Sequence, residues 1–202
     1  MGTVIVIWVL VGVLAVVLLA GAVAFNRFVR QRNLIDDSWS NIDTELTRRY
    51  ALIPNLVETV KGYATHERTT FEAVAAARQQ AMGDHGPPED QARSENALVG
   101  SLKTLLAVGE AYPDLQASTG FLDLQHQLTA TEDRIQAARR LYNNNVRDYN
   151  QRVQSVPSNL IAALGGFAAR EYFQIDEAVD RETPSVVFDA GGPTEANRPD
   201  PA

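Results

Sequence analysis

Residues 4–25 are 22 consecutive positions without a charged side chain, and Arg27, Arg30 and Arg32 follow directly. Coiled as a helix at about 1.5 Å per residue, the run reaches about 33 Å, against about 30 Å for the hydrocarbon core of a bilayer. A single helix also satisfies its own backbone polar groups, as lipid requires. A cleaved secretory signal is the competing reading, because "AVA" at residues 22–24 resembles a small-residue cleavage site. Against it, no Lys or Arg precedes the run, and the run is longer than the signal core of about 7–15 residues. An uncleaved transmembrane helix over 4–25 is therefore expected, after a short tail of residues 1–3. Basic flanks stay on the cytoplasmic side. Arg27, Arg30 and Arg32 are thus the topology determinants, predicting an exported N-terminus and a cytoplasmic domain over 26–188.

The sequence contains no cysteine, so disulfides and thiolate metal sites are excluded. The formal charge of −7 is concentrated at the C-terminal end, where residues 176–202 hold seven acidic residues and two arginines. What remains is close to neutral and shows no dense basic stripe, so nucleic acid is not an expected partner. Residues 189–202 are rich in Pro and Gly and read as a disordered acidic tail.

Beyond the arginines the apolar period becomes helical. Ile35, Trp39, Ile42, Leu46, Arg49, Ile53, Leu56, Val60 and Tyr63 recur at steps of four and three, the spacing of a bundle or coiled-coil seam. A slightly shifted register continues through Glu67, Phe71, Val74 and Arg78, so a helical arm is expected over about 33–82, kinked or restarted at Pro54. Gly83, Gly86, Pro87 and Pro88 end it. A second helix is expected from Glu89 to about Glu110, weakened by Gly100 and Gly109. The third carries Phe121, Leu124, Leu128, Thr131, Ile135, Ala138, Tyr142, Asn145 and Tyr149 and stops before Pro157. A short helix follows over 158–167. The next stretch, to residue 188, has no helical period and reads as extended chain anchored by Tyr172, Phe173 and Phe188. The expected fold is all-α: a transmembrane helix, then an antiparallel bundle of three long helices plus a short fourth.

Four segments carry a resemblance. "RRYALIPNLVETVKGYATHE" (48–67), "EAYPDLQA" (110–117), "FLDLQHQLTATEDRIQAARRLYNNNVRDYN" (121–150) and a late "GF" closely resemble the LemA family, in the expected order and across most of the chain. The resemblance implies a single-pass protein of the bacterial inner membrane, N-terminus outside, with a helical cytoplasmic domain. It implies no reaction and no catalytic residues. It also brings an associational hint, that family members are often encoded beside membrane proteases.

The side chains themselves offer little catalytic chemistry. "HERTT" at His66 begins like a zinc-protease helix motif, but Thr70 stands where the second His is required. His66, His85 and His126 lie in separate segments, so no metal and no cofactor is expected. Arg49 and Glu67 fall on the apolar seam. Arg48 or Arg49 is expected to meet Glu132, and Arg139 to meet Glu67 or Glu110, as ion pairs that fix helix register. A ligand cleft built from Arg49, Glu67, Glu132 and Arg139 is the less favoured alternative. Tyr142 and Tyr149 lie seven apart on one face, with Asn143 and Asn150 beside them, suited to packing or to self-association.

These features point to a non-enzymatic, membrane-anchored scaffold or adaptor. Its expected partners are the lipid bilayer and a second copy or a membrane protein, with no small-molecule substrate. Regulation of a membrane protease is the alternative role. The motivating expectation is a seam longer than the two later helices can cover.

Overall fold

The computed structural model describes residues 1–175. The expected anchor Phe188 and the expected disorder of 189–202 lie outside the described residues. Among those described, all regular structure is helical, in the order α1 (Gly2–Lys61), α2 (Arg68–Gly83), α3 (Pro88–Glu110), α4 (Pro113–Gln116), α5 (Thr119–Gln154) and α6 (Ser158–Gly165).

α1 carries two different surfaces on one axis. Its first turns are apolar all round and exposed, while from Phe28 onward one stripe is buried: Phe28, Ile35, Ser38, Ile42, Leu46, Arg49, Tyr50, Ile53, Leu56 and Val60. The helix stays continuous through Pro54. Proline lacks the N–H that would serve the carbonyl four residues back, here that of Tyr50. Arg78 of α2 replaces it, donating Nε to the Tyr50 carbonyl at 2.8 Å. A tertiary contact thus repairs the gap in the helical ladder.

That contact corrects the expected arm over 33–82. The first helix stops at Lys61, and α2 doubles back along it, so Tyr50 lies beside Arg78 and Ala81. In the turn, the N–H groups of Tyr63 and Ala64 both reach the Val60 carbonyl, at 3.0 and 2.9 Å. Ala64, Val60 and Val74 are fully buried by the reversal. The apolar period passed through this turn without a break because both sides of a hairpin bury residues at helical spacing.

α3 begins with Pro88, whose missing N–H costs nothing in a first turn, and packs chiefly against α2. Gly109 near its end allows close approach: a β-carbon there would stand 2.5 Å from Cζ of Phe121. α5 then runs antiparallel to α1. Glu132 lies beside Arg49, the ring of Tyr142 beside Trp39, Asn145 beside Leu34 and Ser38, and the ring of Tyr149 beside Phe28. α6 is stopped by Gly166 in the left-handed region at φ 67°, which glycine alone adopts without strain. Beyond it, 167–175 extend back along α5.

Together α2, α3, α5, α6 and the extended segment 167–175 (the strap) cover the α1 stripe from Phe28 to Val60, while Tyr63, the last residue of the expected seam, stays 46% exposed. The expectation of an uncovered seam is therefore corrected: from Phe28 to Val60 the stripe is buried within one chain.

Candidate functional site

Two polar constellations interrupt the core. The first centres on Arg49, 2% exposed and the largest fully buried side chain described. One guanidinium nitrogen donates to Glu132 at 2.9 Å and another to Glu95. Tyr50, the next residue of α1, donates its hydroxyl to the other oxygen of Glu95. Arg49 therefore ties α1 to α3 and α5 at once. An unpaired charge at this depth costs several kcal/mol, roughly 3–5 when one partner is removed.

Burial pushes the Glu95 carboxyl above its usual range, against the opposing pull of Arg49 and the Tyr50 hydroxyl. Burial likewise holds the Tyr50 phenol well above its ordinary value, helped by the neighbouring Glu95 charge. Both shifts favour the neutral forms. Glu95 was not singled out from the sequence, although a signal was present. It extends the α3 stripe of Leu98, Leu102 and Leu105 one step back at the same spacing.

The second constellation lines the face of α5 on which 167–175 lie. Asn150 donates Nδ2 to the Arg170 carbonyl and accepts from the Arg170 N–H, both at 2.8 Å. Asn143 makes the same pair of bonds with Phe173, both at 2.9 Å. Tyr142 donates to the Glu171 carbonyl at 3.0 Å, and Arg139 to the Ile175 carbonyl at 2.6 Å. The register has a simple origin. Seven helical residues and three extended ones both span about 10 Å, so two asparagines seven apart on α5 match two peptides three apart on the strap. Each side-chain amide thereby stands in for a neighbouring β-strand. The tyrosines complete the layer: Tyr142 packs on Trp39 at 5.2 Å, with its hydroxyl pushed up to about 12 by burial.

The site residues inferred from sequence therefore divide. Arg49 and Glu132 meet. Arg139 reaches neither Glu67 nor Glu110 but the strap carbonyl, because the strap, not α2 or the end of α3, covers that part of α5. Glu67 stands at the N-terminus of α2, apart from the cluster. Arg48 pairs with Glu45 on the surface at 3.1 Å. Tyr142, Asn143, Tyr149 and Asn150 share one side of α5; the two amides and the Tyr142 hydroxyl bond to the strap, while the Tyr149 ring packs edge-on to Phe28. Arg27, Arg30 and Arg32 are exposed just past the apolar run. No group of three or more His, Asp or Glu side chains suited to a metal occurs among the described residues.

Beside Arg49, α3 and α5 enclose a groove of about 1030 Å³, with Leu102 and Leu106 on one wall and Lys103, Glu132 and Arg140 among its polar residues. Ile175, the last described residue, also lines it.

The LemA family model matches residues 38–188, which run from within α1 through every later helix. The chain belongs to the LemA family. It is 26% identical over 140 residues to Protein LemA of Metamycoplasma hominis, covering 68% of this chain and 63% of that one. It is also 27% identical over 181 residues to Magnetosome protein MamQ 2 of Paramagnetospirillum magneticum, and 24% to Magnetosome protein MamQ of Magnetospirillum gryphiswaldense. Each match covers 77% of this chain, which spans 66% of the length of those MamQ relatives. As in the sequence reading, this LemA-family chain is all-α with a long apolar N-terminal helix. The first helix holds a stretch long and apolar enough to cross a membrane, and none of that stretch is buried. A core helix of a water-soluble protein would be covered, so the exposed run points to association with a membrane.

Proposed function

We propose that this LemA-family protein is a non-catalytic membrane-anchored scaffold or adaptor of the bacterial inner membrane, N-terminus outside and helical domain in the cytoplasm. One observation carries the reading: α1 runs unbroken from the apolar segment into the centre of the domain, where its whole stripe is buried. The domain is thus joined to the membrane by its own core helix rather than by a tether, and its distance and orientation are fixed. The polar residues that a catalytic reading would recruit hold helices and strap together instead. Self-association would use outer faces, since the seam is filled. Crosslinking in cells followed by mass spectrometry should recover copies of the chain or a membrane partner, a membrane protease among the candidates. A strictly monomeric protein that captures nothing would remove support for the scaffold role.

A second reading draws on the α3–α5 groove, whose Lys103 and Arg140 suit an anionic ligand. It expects small anionic metabolites to raise the melting temperature of the full chain, with the rise lost in Arg140→Ala. A melting temperature unchanged by such compounds would count against it.

A further inference from the structure

We propose that α6 and the α5–α6 turn insert into the leaflet on the domain's side, giving the protein a second membrane contact besides α1. The inference rests on the reading of residues 4–25 as a membrane-spanning helix and extends it to an element at the other end of the chain.

Three observations converge. First, Val156, Leu160 and Leu164 are 80, 63 and 86% exposed, whereas no other large apolar side chain described beyond the N-terminal run exceeds the 50% of Leu141. Leu160 and Leu164 lie one turn apart and so share a face of α6. Isolated exposed leucines mean little, but a clustered apolar face marks an interaction surface.

Second, the fold places that face beside the spanning run. The Phe167 ring packs edge-on to Phe25 at 5.2 Å and stacks on Phe28 at 4.9 Å. Ile161 lies against Gly21, 3.8 Å from where a β-carbon would be. From Phe25 to Gly21 is four residues toward the N-terminus, about 6 Å along the axis. Interfacial amphipathic helices sink about 5–10 Å below the headgroups, so α6 stands at that depth.

Third, the charges bracket the same level. The chain carries no charged side chain from residue 153 to 169, and Arg152 and Arg170 flank the gap. Arg27 shares a cleft of about 820 Å³ with Asp148 and Arg152, whose other end is lined by Val16, Leu19 and Val23. The apolar end matches an acyl chain and the arginines a phosphate headgroup. The Nε of Arg152 is buried without a protein acceptor. The occupant that fits both ends is an anionic phospholipid of the bilayer, attracted by the basic flank.

The chain has no cysteine, so single cysteines report cleanly. The full-length protein carrying Leu160→Cys, Leu164→Cys, Leu141→Cys or Leu14→Cys would be labelled with an environment-sensitive fluorophore. Each would be placed in vesicles of phosphatidylglycerol and phosphatidylcholine. The labels at 160 and 164 are expected to lose emission to a quencher on the acyl chains, as the label at 14 does, while the label at 141 answers only to aqueous iodide. If 160 and 164 behave like 141 while 14 is quenched by lipid, the anchor stands and the α6 insertion is overturned, leaving that face to a protein partner. Iodide access at 14 would instead overturn the anchor reading and this inference with it.

Discussion

Single residues show how closely local rules and tertiary contacts are coupled. Pro54 removes the donor for the Tyr50 carbonyl, and Arg78 supplies one from another helix. In the natural chain Arg78→Met should cost about 1–3 kcal/mol, the penalty of an orphaned buried carbonyl. Combined with Pro54→Ala, which restores an N–H at position 54, the same change should cost measurably less. A double-mutant cycle in denaturant, followed by circular dichroism in micelles, gives the coupling. The two α3 glycines separate in the same way. A β-carbon at Gly100 meets nothing within 4 Å, so Gly100→Ala should stabilise by up to about 1 kcal/mol through helix propensity. At Gly109 the β-carbon collides with the Phe121 ring, and Gly109→Ala should destabilise by about 1–3 kcal/mol. Thermal unfolding of the two variants should therefore shift in opposite directions. Glu95 adds a pH signature. Because burial raises its folded value, its contribution is complete below the ordinary carboxyl value of 4.5 and is lost as pH rises through the raised one. The stability of the natural chain relative to Glu95→Gln should accordingly fall with rising pH over that window; unfolding midpoints that run parallel would contradict it.

At the scale of elements, the strap is the part of the fold most dependent on side chains. A helix satisfies its own backbone, but among the described residues no strand lies beside 167–175, and Asn143, Asn150, Tyr142 and Arg139 provide partners instead. Asn143→Leu or Asn150→Leu removes both bonds to one strap residue and should cost about 2 kcal/mol or more. Hydrogen exchange gives the sharper readout. The Phe173 or Arg170 amide should lose protection in the respective variant while α1 and α3 amides change little, as expected for a locally opening unit. Loss spread evenly over the domain would mean that the strap is integral to the cooperative core. The spacing of seven between Asn143 and Asn150 was present in "YNNNVRDYN", yet it has meaning only once an extended segment lies alongside, offering Arg170 and Phe173 three apart.

Across the whole molecule, one helix unites membrane and domain, so topology and function are inseparable under the proposed reading. Replacing Arg27, Arg30 and Arg32 by Gln while adding lysines before Val4 should reverse the orientation. Membrane-impermeant thiol labelling of Thr3→Cys and Thr129→Cys would detect it as an exchange of accessibility between the two positions. Unchanged accessibility would show that folding of the domain, and not the basic flank, sets orientation. The exposed apolar face of α6 gives that alternative a physical route, because it would hold the domain against its own leaflet.

The sequence by itself determined the helical class, the apolar run with its basic flank, the family and the positions of most helix ends. Each of these is a property of short-range pattern: period, length, proline and glycine placement. The Arg49–Glu132 contact was also within reach, because a charge on an apolar stripe demands an opposite charge. Only the tertiary structure decided that the arm over 33–82 folds back, since a hairpin and a straight helix present the same period. It also decided that Glu95 joins Arg49, that Arg139 serves the strap, and that the long seam is covered from within. The apolar run began as a statement about location; beside α6 it becomes one side of a surface that two distant segments build together. That adjacency joins residues more than a hundred positions apart, and no local pattern encodes it.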